Sequence, residues 1–217
     1  MTKYIKMSLV AFTGLFFFGC AGSALDTKSS TSKARIIYEV PSSAGAENVK
    51  TALYDALSLR LSNIQESENF MPEQLPDNPD SPMNSNAFGG LASLAAGSPQ
   101  FEIMRLDTSN AYYSVQGVYQ GVSGPFNDSA LALKGAVYPY SKGYKVYLYG
   151  FYQEKTDGLA GMIGKGMVEG ITGEKSNLLL VAQVRDKFKE LVPSATITSQ
   201  QPSALQQVEL TKFNKGY

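Results

Sequence analysis

Histidine and tryptophan are absent from the 217-residue chain, and cysteine occurs once. Without histidine the chain lacks the commonest general base, the commonest metal ligand and the usual switch near neutral pH. A serine nucleophile therefore has no imidazole to activate it. A single cysteine closes no intrachain disulfide and offers no thiolate cluster for zinc. Lys+Arg and Asp+Glu both number 19, so the formal net charge is zero, and nucleic-acid binding through a basic face has no support. No Walker A or dinucleotide-binding glycine motif is present. Glu73, Asp77 and Asp80 lack the regular spacing of a calcium loop. These absences predict a non-enzymatic protein with no cofactor, no bound metal and no nucleic-acid partner.

The N-terminus is the most specific feature. Lys3 and Lys6 precede a twelve-residue apolar run, Met7–Phe18, followed by Gly19 and Cys20. A positive start, a short apolar core and a small residue at the cut describe a secretory signal. A membrane-spanning helix needs about 20 apolar residues, more than this run supplies.

The stretch Phe17, Phe18, Gly19, Cys20 resembles the lipobox of the bacterial lipoproteins, usually Leu, a small residue, Gly or Ala, then Cys. Gly19 and Cys20 match; Phe17 and Phe18 depart from the usual residues. The resemblance implies cleavage after Gly19, a diacylglyceryl group on Cys20, and Cys20 as the mature N-terminus with palmitate-type chains. Ala21 stands where enteric lipoproteins retained in the inner membrane carry Asp, so the resemblance implies the outer membrane, facing the periplasm. Each buried methylene contributes about 0.8 kcal/mol, and two or three chains make a durable anchor where one is marginal. The implied segments are a signal peptide over 1–19 and a tether over 20–33. "AGSALDTKSSTSK", Ala21–Lys33, is small and polar and cannot bury enough surface to order itself. As a flexible coil it would span on the order of 20 Å.

A single α+β domain is expected over 34–192, with a tail over 193–217. "ARIIYEV", Ala34–Val40, reads as a strand stopped by Pro41, and Ser42 or Ser43 is placed to cap the next helix. Glu47–Leu61 carries an amphipathic stripe of Val49, Ala52, Leu53, Ala56, Leu57 and Leu61. Residues 65–99 then hold Pro72, Pro76, Pro79 and Pro82 and predict a long irregular insert, disordered or serving as a partner-binding arm with Phe70, Met71, Leu75 and Phe88 as anchors. Strands follow from Ala111, over "ALALKGAVYPY" and over "YKVYLYGFYQ", the last two joined by a hairpin at Ser141–Gly143. Pro139 is expected at an edge or a bulge. A final helix, Lys175–Val192, ends at Pro193. Its stripe is Val181, Val184, Phe188 and Leu191, with Arg185 facing water. A short strand at "QVELTKF" is also compatible with the pattern. The architecture predicted is an antiparallel sheet of about four to five strands with two helices on one face.

Two segments offer contact surfaces. The hairpin strands carry Tyr138, Tyr140, Tyr147 and Tyr149, read either as half-buried sheet packing or as a face that stacks on a glycan or small apolar ligand. "GLAGMIGKGMVEGITG", Gly158–Gly173, is compatible with a mobile flap or with a close-packed helix. In the helical reading Leu159, Met162, Ile163, Gly166, Met167, Gly170 and Ile171 share one face, a candidate contact with a partner or with lipid. The function these features point to is a lipid-anchored periplasmic accessory protein supporting a larger envelope complex. The competing class is a lipid-anchored carrier of a small ligand on the tyrosine face.

Overall fold

The structure, a computed structural model, describes residues 28–84, 98–120, 130–156 and 174–207. The period-two alternation of "ARIIYEV" lies within a longer strand, β1, Lys28–Pro41. The polar residues 28–33, expected in the tether, pair instead with the long partner strand, from Lys28 opposite Thr156 onward. A short 3-10 turn, Ser42–Ala44, leads to helix α1, Ala46–Ser58. Its N-cap is Gly45, without a side-chain cap, so neither Ser42 nor Ser43 caps it. Strand β2, Ser62–Glu68, occupies the start of the segment read as irregular. After it come β3, Met83–Asn84, helix α2, Pro99–Met104, and β4, Leu106–Asp107. Strands β5, Tyr113–Gln120, β6, Ala130–Tyr140, and β7, Gly143–Thr156, follow. Helix α3, Glu174–Leu191, and β8, Thr196–Gln201, complete the described elements, with a 3-10 turn at Ser203–Gln207. The expected tail thus contributes an edge strand, and the "QVELTKF" segment after Gln207 lies outside the described residues.

Six strands form one antiparallel sheet in the order β2-β5-β6-β7-β1-β8, and β3 pairs with β4 separately. The fold is mixed α+β, with eight strands, six of them in one sheet, and three α-helices among the described residues. Alternation sorts the side chains onto two faces. Ala34, Ile36, Tyr38 and Val40 of β1 join Val49, Leu53 and Leu57 of α1 and Val181, Val184 and Phe188 of α3 in the larger core. Ala132, Ala136, Tyr138, Tyr147, Tyr149 and Phe151 face the other way and pack with Ile103 of α2 and Leu106 of β4. Arg185, expected in water, is buried because its Nη1 donates to the Leu205 carbonyl at 2.8 Å.

Glycine makes room for the helices. A Cβ on Gly135 would stand 2.8 Å from Leu53 Cδ1, and one on Gly150 would stand 2.8 Å from Leu133 Cδ2 and 3.2 Å from Val181 Cγ2. Leu133 lies in register between Gly117 and Gly150; it fills the space beside Gly150, while Leu61 and Ile64 fill the space beside Gly117. Gly143 turns the β6–β7 hairpin at φ 140, where a Cβ would meet the Val40 carbonyl oxygen at 2.1 Å.

These contacts make Gly135 and Leu53 a coupled pair. Gly135→Ala should cost about 1–3 kcal/mol by overpacking, and Leu53→Ala about 2–5 kcal/mol by cavity formation. Urea unfolding of the double variant should show less than the sum, with a coupling of at least about 0.5 kcal/mol. Strict additivity would contradict the packing described.

Candidate binding site

β6 is longer than the strand beside it. β5 pairs with β6 only as far as Tyr113 opposite Val137, and the Tyr112 N–H donates to the Val137 carbonyl at 2.9 Å. Two residues on, Pro139 points its backbone to the same side and has no N–H to leave open. The edge position expected for Pro139 is therefore local, created where β5 ends.

The chain between β2 and β3 covers this gap as an irregular strap, residues 69–82. Asn69 clips it down. Its N–H donates to the Tyr112 carbonyl at 2.8 Å, and its Nδ2 donates to the carbonyls of Ser109 at 2.8 Å and Ala111 at 2.7 Å. Further along, Pro76 accepts from the Ser141 N–H at 2.9 Å, and Asp80 Oδ2 accepts from Asn110 Nδ2 at 3.2 Å. Four prolines stiffen the strap by fixing φ. The strap over 69–82 is thus hydrogen-bonded to the end of the sheet, although it has no regular secondary structure. It turns apolar groups outward: Phe70 is 100% exposed, Leu75 42% and Met71 38%. Phe88, the fourth proposed anchor, lies outside the described residues.

Between strap and sheet is a cavity of about 280 Å³. The strap supplies Asn69, Phe70, Pro72, Pro76 and Asp80 to its wall. The opposite wall is Asn110, Ala111 and Tyr112 before β5, with Tyr138 and Pro139 from β6. The Tyr138 hydroxyl is buried with no hydrogen-bond partner. Burial, first, and then the nearby Tyr147, Tyr149, Asp107 and Asp80 push its pKa upward. Tyr112 sends its hydroxyl away, donating to Glu47 Oε1 at 2.7 Å. Glu47 also pairs with Lys50 at 2.7 Å, and Lys50 reaches Glu68 at 3.0 Å, so α1, β2 and the cavity wall share one charge network. The hydrogen bonds from Lys50 and Tyr112 hold Glu47 below the usual carboxylate range, and those to Glu47 and Glu68 hold Lys50 high.

All four tyrosines proposed as a ligand face are buried: Tyr138, Tyr140, Tyr147 and Tyr149. Tyr147 and Tyr149 stack 6.3 Å apart, and Tyr138 meets Tyr147 edge-on at 5.6 Å. Three of them pack with Ile103 and Leu106, and only Tyr138 reaches the cavity. Asn69 and Asn110 were not singled out from sequence. Asn69 adjoins the acidic, proline-rich segment but its side chain bonds backbone carbonyls 40 and 42 residues on, and the partner of Asn110 is the Asp80 carboxylate, 30 residues back. Gly19 and Cys20, and the face of Leu159, Met162, Ile163, Gly166, Met167, Gly170 and Ile171, lie outside the described residues. Among the described residues no cluster of three metal-ligating side chains occurs.

The tyrosines set an alkaline limit on stability. Burial, with the bond to Glu47 second, pushes Tyr112 from 10.0 up to about 12, and Tyr113 and Tyr138 also move upward, burial first. A raised folded pKa means the stabilisation is complete below the unfolded value and is lost as pH rises through the folded one. The urea midpoint should therefore fall as pH climbs from 10.0 towards about 12, and Tyr112→Phe should flatten that fall. An unchanged profile in the variant would show that Tyr112 does not titrate as described.

No protein-family model matches the chain, and no curated protein sequence matches it.

Proposed function

We propose that the chain is a lipid-anchored, non-enzymatic accessory protein that binds and supports a larger bacterial envelope complex, with the strap as its partner contact. The observation that carries this reading is the strap itself. Phe70 is 100% exposed on a segment whose backbone is hydrogen-bonded to the end of the sheet. A large apolar group held in water on an ordered element gains free energy when a partner covers it. Aromatic residues presented in this way are the usual anchors of protein interfaces.

The anchor rests on the sequence. Lys3, Lys6, the run Met7–Phe18, Gly19 and Cys20 support a signal peptide, acylation of Cys20 and placement in the outer membrane facing the periplasm. Contact with the membrane would be through acyl chains on Cys20, and no helix among the described residues is long and apolar enough to cross a membrane. The glycine-rich face from Leu159 to Ile171 is proposed as a second contact with partner or lipid. The competing reading is a lipid-anchored binding protein for a small apolar or glycan ligand. It draws support from the cavity of about 280 Å³ beside Tyr112 and Tyr138.

Membrane fractionation and crosslinking test the first reading together. Wild type should sediment with outer membrane, and Cys20→Ala should move to the soluble fraction. A photoreactive residue at position 70 should give one dominant adduct with an envelope protein. Phe70→Ala should weaken that association by at least about 1 kcal/mol. Identical fractionation of Cys20→Ala and wild type would remove the anchor, and absence of any adduct from position 70 would remove the partner contact.

A further inference from the structure

The strap presents exposed apolar groups among charges of one sign. Phe70, Met71 and Leu75 are exposed, on a segment tied to the end of the sheet at Asn69 and at Pro76. Every residue from Asn69 to Asn78 is exposed. Glu73 lies midway between Met71 and Leu75, and Asp77 lies two residues past Leu75, so each acid has an apolar neighbour within about 7 Å along the backbone. Between Arg60 and Arg105 the sequence holds no lysine or arginine, but it holds Glu66, Glu68, Glu73, Asp77, Asp80 and Glu102. Four of these carboxylates have partners. Glu66 accepts from Tyr113, Glu68 pairs with Lys50, Asp80 accepts from Asn110, and Glu102 pairs with Arg105. Glu73 and Asp77 differ. Among the described residues neither has a hydrogen-bond or ion-pair partner, although Lys142 follows Ser141 in the turn that Pro76 touches.

Covering the apolar groups leaves these two acids at the margin of the contact, where the occupant's own charge decides the outcome. A second copy docked strap to strap would set Glu73 and Asp77 against their own counterparts, and like charges in juxtaposition oppose binding. The negative surface of an anionic membrane repels them in the same way. A protein surface with an apolar pocket and lysines or arginines around it gains on both counts: an aromatic anchor fills the pocket, and opposite charges at the rim steer the encounter. Pro72, Pro76, Pro79 and Pro82 fix φ along the strap, so less chain entropy is lost when it docks.

We propose that the strap docks into an apolar pocket with a basic rim on the partner protein. Phe70 enters the pocket, Met71 and Leu75 pack beside it, and Glu73 and Asp77 face the partner's lysines or arginines. This rests on the accessory reading given above and adds the partner's chemistry to it.

The test uses the full chain in isolated native membranes, with p-benzoylphenylalanine at position 70, which keeps an aromatic group there. The readout is the yield of the protein adduct. It should fall at least about threefold between about 0.1 and 0.5 M salt, because added salt screens exposed charges. Glu73→Gln with Asp77→Asn should lower the low-salt yield about threefold or more, the scale of two exposed ion pairs, and should flatten the salt response. Glu73→Lys with Asp77→Lys should lower it further. The neutral pair changes only exposed carboxylates without partners, so its circular dichroism should match wild type; if it does not fold, the salt response alone decides. A yield unchanged by salt, or unchanged in the folded neutral variant, overturns the basic rim and leaves the accessory reading standing. An adduct between two copies of the chain, or with lipid, in place of another protein overturns it as well. No adduct at all from position 70 in the chain with Glu73 and Asp77 intact removes the partner contact and this inference together.

Discussion

A strand that outruns its neighbour must have its exposed backbone covered, and much of this protein's outer architecture follows from that constraint. β6 continues past the end of β5 at Val137. Pro139 removes one donor from the open edge, and the strap is tied down on either side of it, through Asn69 to the segment before β5 and through Pro76 to Ser141 in the turn after β6. A covering segment built of prolines cannot follow the sheet surface closely, because it lacks N–H groups for a regular ladder. The cavity is the space left by that mismatch, and Tyr138 on its wall is left without a partner. The same stiffness turns Phe70 outward rather than under the strap. Cavity and exposed anchor are thus two consequences of one way of closing an edge.

The two faces of the sheet divide the remaining work. Glycines at 117, 135 and 150 lower one face, so that Leu53 of α1 and Val181 of α3 come close to the backbone. The other face is tyrosine-rich and is covered by smaller elements, α2 and β4. Tyrosine suits that position because its ring packs while its hydroxyl can reach a polar neighbour. Where the neighbour is missing, as at Tyr138, an unfilled polar position results. With no histidine in the chain, no imidazole titrates on this face; burial raises its tyrosines and lowers Lys33 and Lys134, so both types of group act on the alkaline side.

Regular elements with strong periodicity were legible in the sequence. The stripe Val49, Ala52, Leu53, Ala56 and Leu57 is the buried face of α1, and "ALALKGAVYPY" and "YKVYLYGFYQ" fall within β6 and β7. Elements that depend on a distant partner were not. Residues 28–33 are polar and read as tether, yet β7 extends far enough to pair with them. β2 is almost wholly exposed and lacks an alternating pattern; its register comes from β5. α2 is only six residues long, too short to show a period. The site was legible only in outline: prolines, acids and exposed apolar groups marked residues 65–99 as either disordered or a partner arm. What ties down residues 69–82 is hydrogen bonding to Ser109, Ala111, Tyr112 and Ser141, contacts with no local sequence signature.

The central claim is that the strap is a fixed part of the domain and not a loose loop. Native-state hydrogen exchange of the Asn69 and Ser141 amides measures this most directly, since both donate into the contacts that hold the strap. Local opening governs such exchange. The account predicts that both amides are slowed by about a hundredfold or more relative to an unstructured chain, equivalent to an opening free energy of about 3 kcal/mol. Exchange of both at the unstructured rate, with the β6 and β7 amides still protected, would contradict it, leaving an unclipped loop with no fixed anchor.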